Sequence, residues 1–201
     1  LWTTFAEIRK NRPVFWFLAA YFFYIDGVDT VISMATSYGT DLGLKTPQLL
    51  LIVLVIQIVA FPCAVIYGYL AKRVGPRAML FTGIAVYLTI VSLASILFRI
   101  HDPGLRLALY WLLAMLVATS QGGIQALSRS VFGKLIPADR SAGYFGFYNI
   151  FGRFAAIVGP TLMALTARFT GDTGLGVLSL AILFVIGGIF LSKVRLEHPA
   201  R

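Results

Sequence analysis

The sequence predicts an all-α, polytopic membrane protein of six transmembrane helices, built as two inverted three-helix repeats. Three observations predict it. Hydrophobic residues make up 59% of the 201 and charged residues 12%, against roughly 45–50% and 25% in soluble domains, so the apolar excess outruns what one globular core of this length buries. Six apolar runs are each long enough to cross a bilayer, which takes about 20 residues. Basic residues, finally, crowd into alternate loops.

The runs cover residues 13–37, 47–71, 78–98, 105–127, 142–167 and 174–193. They lack the two-residue alternation of barrel strands, and an open sheet edge in lipid would leave backbone groups unpaired. One side of the membrane receives Arg9, Lys10 and Arg12, then Lys72, Arg73 and Arg77, then Arg129, Lys134 and Arg140, then Lys193, Arg195 and Arg201. The other receives only Lys45, Arg99, Arg106 and Arg168. This bias places both termini in the cytoplasm. The net charge of +9 is then mostly topology, and its spread over four loops argues against nucleic-acid binding.

The expected organisation is a cytoplasmic flank or linker (1–12), a six-helix bundle (13–193) and a cytoplasmic tail (194–201). In the flank, Leu1, Phe5 and Ile8 fall at helical spacing, which suits either a helix lying on the inner leaflet or an ordinary helix extension. The single cysteine, Cys63, rules out an internal disulfide. The first apolar run is too long for a secretory signal and lacks a small-residue cleavage site. Leu1 in place of an initiating methionine suggests a piece of a longer protein.

Asp26 and Asp29 fall half way along the first run, and Arg153 falls near the middle of the fifth. At a helix centre each such residue costs about 2.5–3.5 kcal/mol on insertion scales, so it must face a bundle interior or a wet cavity. At helical periodicity Asp26, Asp29, Thr30, Ser33 and Ser37 share one face. Tyr110, Gln121, Gln125 and Ser128 share a face of the fourth span, and Gly146, Asn149, Arg153, Ala156 and Pro160 one of the fifth. We expect these stripes to line one cavity, with Arg153 as counter-charge to Asp26 or Asp29. The alternative is a static salt bridge that only holds helices together.

Breaks at matching depths in two halves point to a transporter's inverted repeat. Asp26-Gly27 in span one matches Gln121-Gly122-Gly123 in span four, and Pro62 in span two matches Pro160 in span five. Each proline removes a backbone hydrogen bond and can bend its helix. Ala155, Ala156 and Gly159 are spaced for close helix packing, which is also the expected role of Gly187 and Gly188.

"GYLAKRVGPR", Gly68 to Arg77, is similar to the loop signature between the second and third helices of each half of the major facilitator superfamily. Gly68, Arg73, Gly75 and Arg77 fit it, whereas Lys72 stands where the superfamily has an acid, which puts any charge latch there in doubt. "GFYNIFGRFAAIVGP" resembles the superfamily's fifth helix of a half, ending at Gly159 and Pro160. "DGVDTVIS", "QGGIQALSRSVFGKLIP" and "FGFYNIFGRFAAIVGP", in this order, resemble the branch holding the autophagy-linked vacuolar amino-acid effluxers and their bacterial relatives. The resemblance covers essentially the whole chain. It implies the C-terminal six-helix half of a secondary transporter working by alternating access in a bacterial inner membrane. Asp26, Gly27, Gln121, Gly122, Gly123, Gln125, Asn149 and Arg153 match its motifs. The other partner it implies, besides the bilayer and a small-molecule substrate, is the N-terminal six-helix half or a second copy of this chain.

An enzyme is disfavoured, because Asp26 and Asp29 share one helix and His101 and His198 lie in a loop and the tail, away from any nucleophile. Two distant histidines and one cysteine cannot make a zinc site, and no cofactor is expected. A channel would repeat pore-lining elements. It remains, with a non-transporting scaffold, the rival reading. The expectation is a carrier of a small polar or zwitterionic solute, a symporter or antiporter. Asp26 or Asp29 takes an amine or coupling proton, Arg153 orients a carboxylate, and Ser33, Gln121, Gln125 and Asn149 supply neutral hydrogen bonds.

Overall fold

The structure, a computed structural model, describes residues 7–137 and 140–194. Its long helices are α1 (Arg12–Asp41), α2 (Thr46–Val74), α3 (Pro76–Leu97), α4 (Pro103–Leu135) and α5 (Ser141–Thr170); a shorter pair, α6 (Thr173–Ser179) and α7 (Ala181–Ser192), forms the last span. Six spans are long and apolar enough to cross a membrane, and the described residues form no strand. Ile8 of the expected flank is buried, but Leu1 and Phe5, like tail residues 195–201, lie outside the described residues.

Local chemistry sets the helix ends. Proline opens α1, α2, α3 and α4, where its missing N–H is no loss. Asp102 and Asp172 cap α4 and α6, each accepting from backbone N–H groups two and three residues on, as an N-cap side chain does. Between α2 and α3 the chain turns on the single residue Gly75, whose φ of 100° suits glycine.

The packing is an exchange of partners. α1 lies against α5 and α7, while α4 lies against α2 and α3. Replacing each of the first three spans by its counterpart in the last three maps these pairs onto one another. The loops sort into two ends. At one, Arg140 pairs with Glu7, the Arg77 guanidinium donates to the Ser192 carbonyl, and Lys193 lies 4.6 Å from the Trp16 ring centre. At the other, Arg99 pairs with Asp172 at 3.8 Å, and Arg106 donates to the carbonyls of Leu42 and Ile100.

Three expectations need correction. Gly27, Gly122 and Gly123 do not break their helices, since α1 and α4 run through them unbroken. They are seats for neighbours: a Cβ on Gly27 would stand 2.6 Å from the Phe184 ring, one on Gly122 3.0 Å from Ala64, and one on Gly123 2.2 Å from Tyr67. Span four does not stop near residue 127 but continues to Leu135, because Val131 and Phe132 are buried, Phe132 stacking on Phe17 and Tyr148. Span six, expected to be continuous, is interrupted at Leu180, whose N–H bonds three residues back to Val177.

Gly123→Ala is therefore expected to destabilise the fold by about 1–3 kcal/mol through overpacking on Tyr67. Gly146→Ala, whose Cβ meets nothing within 4 Å, gains helix propensity instead. Thermal unfolding of both in detergent checks the pair, and equal midpoints would refute the seat.

Candidate functional site

Asp26 sits on the inward face of α1 and is fully buried. Its Oδ1 accepts a hydrogen bond from the Gly159 backbone N–H of α5 at 2.9 Å. Such an approach needs glycine: a Cβ at 159 would lie 2.1 Å from the Thr30 hydroxyl and 2.9 Å from Asp26 Oδ1. The following residue, Pro160, lies inside α5 and cannot donate to the carbonyl four residues back. The carboxylate thus grips α5 where the helix is short of one of its own bonds. Asp26 Oδ2 and the Thr30 hydroxyl, one turn apart, have no hydrogen-bond partner among the described residues, and neither has the buried Tyr87 hydroxyl.

Asp29 is half-buried and its Oδ1 accepts from the Gln125 side-chain amide at 3.3 Å. Gln121, one turn earlier on α4, donates to the Gln57 carbonyl on α2 at 3.0 Å. Deeper, Tyr24 and Ser128 join hydroxyls at 2.7 Å. Polar contacts therefore tie α1 to α5, α1 to α4, and α4 to α2 within the spans.

Arg153 does not serve as the expected counter-charge. It is exposed and forms no ion pair among the described residues, whose two salt bridges are Arg99–Asp172 and Arg140–Glu7. The turn of α5 that reaches α1 presents buried Ala155 and Gly159, and Arg153 falls on the opposite side. Asn149 and Ala156 share that exposed side, so the α5 stripe looks out of this bundle. Ser33 is exposed as well, its hydroxyl bonded back to the Thr30 carbonyl.

Pro62 lies inside α2. Lys72 is exposed in the last turn of that helix, where Arg73 lies over the Tyr69 ring at 4.8 Å and donates to its hydroxyl. A Cβ on Gly68 would meet nothing within 4 Å. Arg77 caps the end of α7 through Ser192.

Sequence reasoning missed Gln57. The signal was there, since it is the one polar residue in "LLLIVLVIQIVA", Leu49 to Ala60. Gln57, Gln121 and Thr30 border a cleft of about 170 Å³ lined by α1 to α4, with Met163 and Leu180 at its edge and one side open. Among the described residues no three His, Cys, Asp or Glu side chains gather as a metal site would need.

The whole chain, residues 1–201, matches the family described as "Vacuole effluxer Atg22 like". It is 52% identical over 194 residues to the Bacillus subtilis (strain 168) protein named "Uncharacterized MFS-type transporter YxiO", covering 96% of this chain and 44% of that protein. It is 24% identical to "Autophagy-related protein 22" of Cryptococcus neoformans var. neoformans serotype D (strain B-3501A), over 97% and 38% of the two chains. To that of Pichia angusta it is 29% identical, over 85% and 32%. The chain thus spans less than half the length of these relatives. No solved structure matches it significantly. By the family match over its full length, the chain belongs to the Atg22-like vacuole effluxers.

Proposed function

We propose that this chain is one half of a secondary carrier that moves a small polar solute, an amino acid, across a bacterial inner membrane by alternating access, with both termini in the cytoplasm. The single observation that carries the reading is the buried Asp26 carboxylate on the Gly159 N–H, beside Pro160. Lipid offers no reason to hold an acid there, and a purely structural role would not need one oxygen left unpartnered. The names of the relatives, an MFS-type transporter and autophagy-related proteins of the effluxer family, support the carrier over a channel or a scaffold.

The mechanism follows from bond strength. A hydrogen bond to an ionised group contributes about 1.5–3 kcal/mol, and one between neutral groups about 0.5–1.5. A proton arriving at Asp26 therefore loosens the α1–α5 joint by roughly 1 kcal/mol. α5, short of one internal bond at Pro160, is free to bend when released. That exchange couples occupancy of the acid to helix motion. Asp29 with Gln125, and Gln121 with Gln57, would supply further contacts to the solute.

The exposed sides of α2 and α5 are the least buried of the spans. The α5 side carries Asn149 and Arg153 on an otherwise apolar surface that includes Phe154 and Ile157. An arginine facing hydrocarbon is costly, so this side suits a second six-helix unit, the N-terminal half or another copy, with Arg153 turned into the water-filled space between. Exchange of spans one to three with four to six in the packing pattern supports an inverted repeat within the half.

Two outcomes are expected from the full-length protein in liposomes. Asp26→Asn keeps an oxygen for the Gly159 N–H but cannot lose a proton, so counterflow of a labelled amino-acid mixture loses its pH dependence and falls at least about tenfold. Unchanged rate and pH profile would refute Asp26 as the coupling site. Gly159→Ala drives a methyl group into Thr30 and Asp26, and its counterflow should fall with the joint. Wild-type exchange by this variant would show that the joint does not govern motion.

A further inference from the structure

We propose that the cleft beside the acids is a binding subsite for an apolar group about the size of a benzene ring that carries one uncharged polar end, held by the Gln57–Gln121 pair. The inference deepens the carrier reading and rests on it, since it says what part of a ligand this half takes up. Size gives the first argument. A sealed cavity of about 150 Å³ lined by apolar side chains binds benzene, and this cleft, open on one side, offers about 170 Å³.

The second argument is the lining. Val91, Leu113, Val117 and Leu180 contribute hydrocarbon, and no charged side chain borders the space. Tyr38 and Tyr110 also border it, but their hydroxyls are spent on the carbonyls of Ala94 and Ala35, at 2.5 and 2.7 Å. Their rings stack at 6.2 Å, so these tyrosines offer flat apolar faces. A bare ion or a doubly charged solute would lose its hydration there without repayment.

Polar atoms with unused capacity stand in one place. The Thr30 hydroxyl is not among them, since it is buried against Gly159 and Asp26. Across the space, Gln121 donates one N–H to the Gln57 carbonyl, which leaves the Gln57 amino group as donor and the Gln121 carbonyl as acceptor. A hydroxyl or amide can satisfy these atoms, while its apolar portion fills the cavity. Thr30 borders the cleft and is one turn from Asp26, so the ligand would sit beside the joint that moves. The cavity lies towards the end of the bundle that carries the Asp41, Asp102 and Asp172 loops, the end away from the termini.

The test uses the full-length protein in detergent and equilibrium dialysis of two labelled probes, benzyl alcohol and toluene. Wild type should bind both saturably. Ala114→Phe, which fills the cavity, should abolish both. Gln57→Leu should weaken benzyl alcohol about 3- to 10-fold, the worth of one neutral hydrogen bond, and leave toluene unchanged. Should Ala114→Phe fail to fold, Val117→Ala enlarges the same space and should tighten binding of the larger 1-naphthalenemethanol several-fold. Unsaturable binding, or binding indifferent to these cavity variants, overturns the subsite. Equal loss of both probes in Gln57→Leu overturns the polar end. Amino-acid counterflow persisting without saturable probe binding would sink this inference and leave the carrier reading standing, whereas saturable binding in a protein without counterflow would do the reverse.

Discussion

The bundle is organised around a carboxylate that hydrocarbon cannot solvate. Once Asp26 is placed in the middle of α1, its charge has to be met by a donor inside the protein, and the donor is the Gly159 N–H. That one bond dictates its neighbours. It requires glycine at 159, because any Cβ would collide with Thr30. It draws a backbone N–H out towards another helix, and the proline that follows makes α5 pliable at the same level. It also fixes which faces of α1 and α5 meet, and so which face of α5 is left to look outward.

Much of this was legible in the sequence and part was not, for physical reasons that differ by residue. The six spans were readable because the need to bury about 20 apolar residues is local and needs no knowledge of partners. The importance of Asp26 was readable for the same reason, since a charge in an apolar run is anomalous wherever the run packs. Its partner was not. Sequence reasoning looked for an opposite charge and chose Arg153, whereas the structure meets the acid with a backbone group, which every residue but proline carries and no side-chain pattern announces. The glycines misled in a related way. Gly27 and Gly123 read as helix breaks when considered along their own chain, and only the rings of Phe184 and Tyr67 show that they are contact points between helices.

The contrast between the two helical faces of α5 carries the comparison with known relatives further. Small buried residues on one side seat it on α1, and exposed Asn149 and Arg153 on the other have no place against lipid alone. Under our proposal a unit of six helices that leaves α2 and α5 the least buried is covered there by a second one. The chain's coverage of 44% of the Bacillus relative and 38% of the Cryptococcus one leaves room in proteins of this kind for a second unit of similar size. Under our proposal the polar stripe of α5 would then face that unit across the solute path, and Arg153 would act from there rather than as a partner of the aspartates.

Asp26 and the cavity meet at one residue. Thr30 borders the cleft lined by α1 to α4 and its hydroxyl stands against Gly159 on the other side, so anything in the cleft that shifts Thr30 acts on the side chain that Gly159 packs against. The walls of the cavity are rigid, because the Tyr38 and Tyr110 hydroxyls anchor α1 to α3 and α4 to α1 through backbone carbonyls. The joint, by contrast, depends on a single hydrogen bond at a proline-weakened turn. Under our proposal bound ligand energy is directed to the softer element, α5, and a rigid pocket set against a soft helix is the arrangement by which small differential contacts shift a conformational equilibrium.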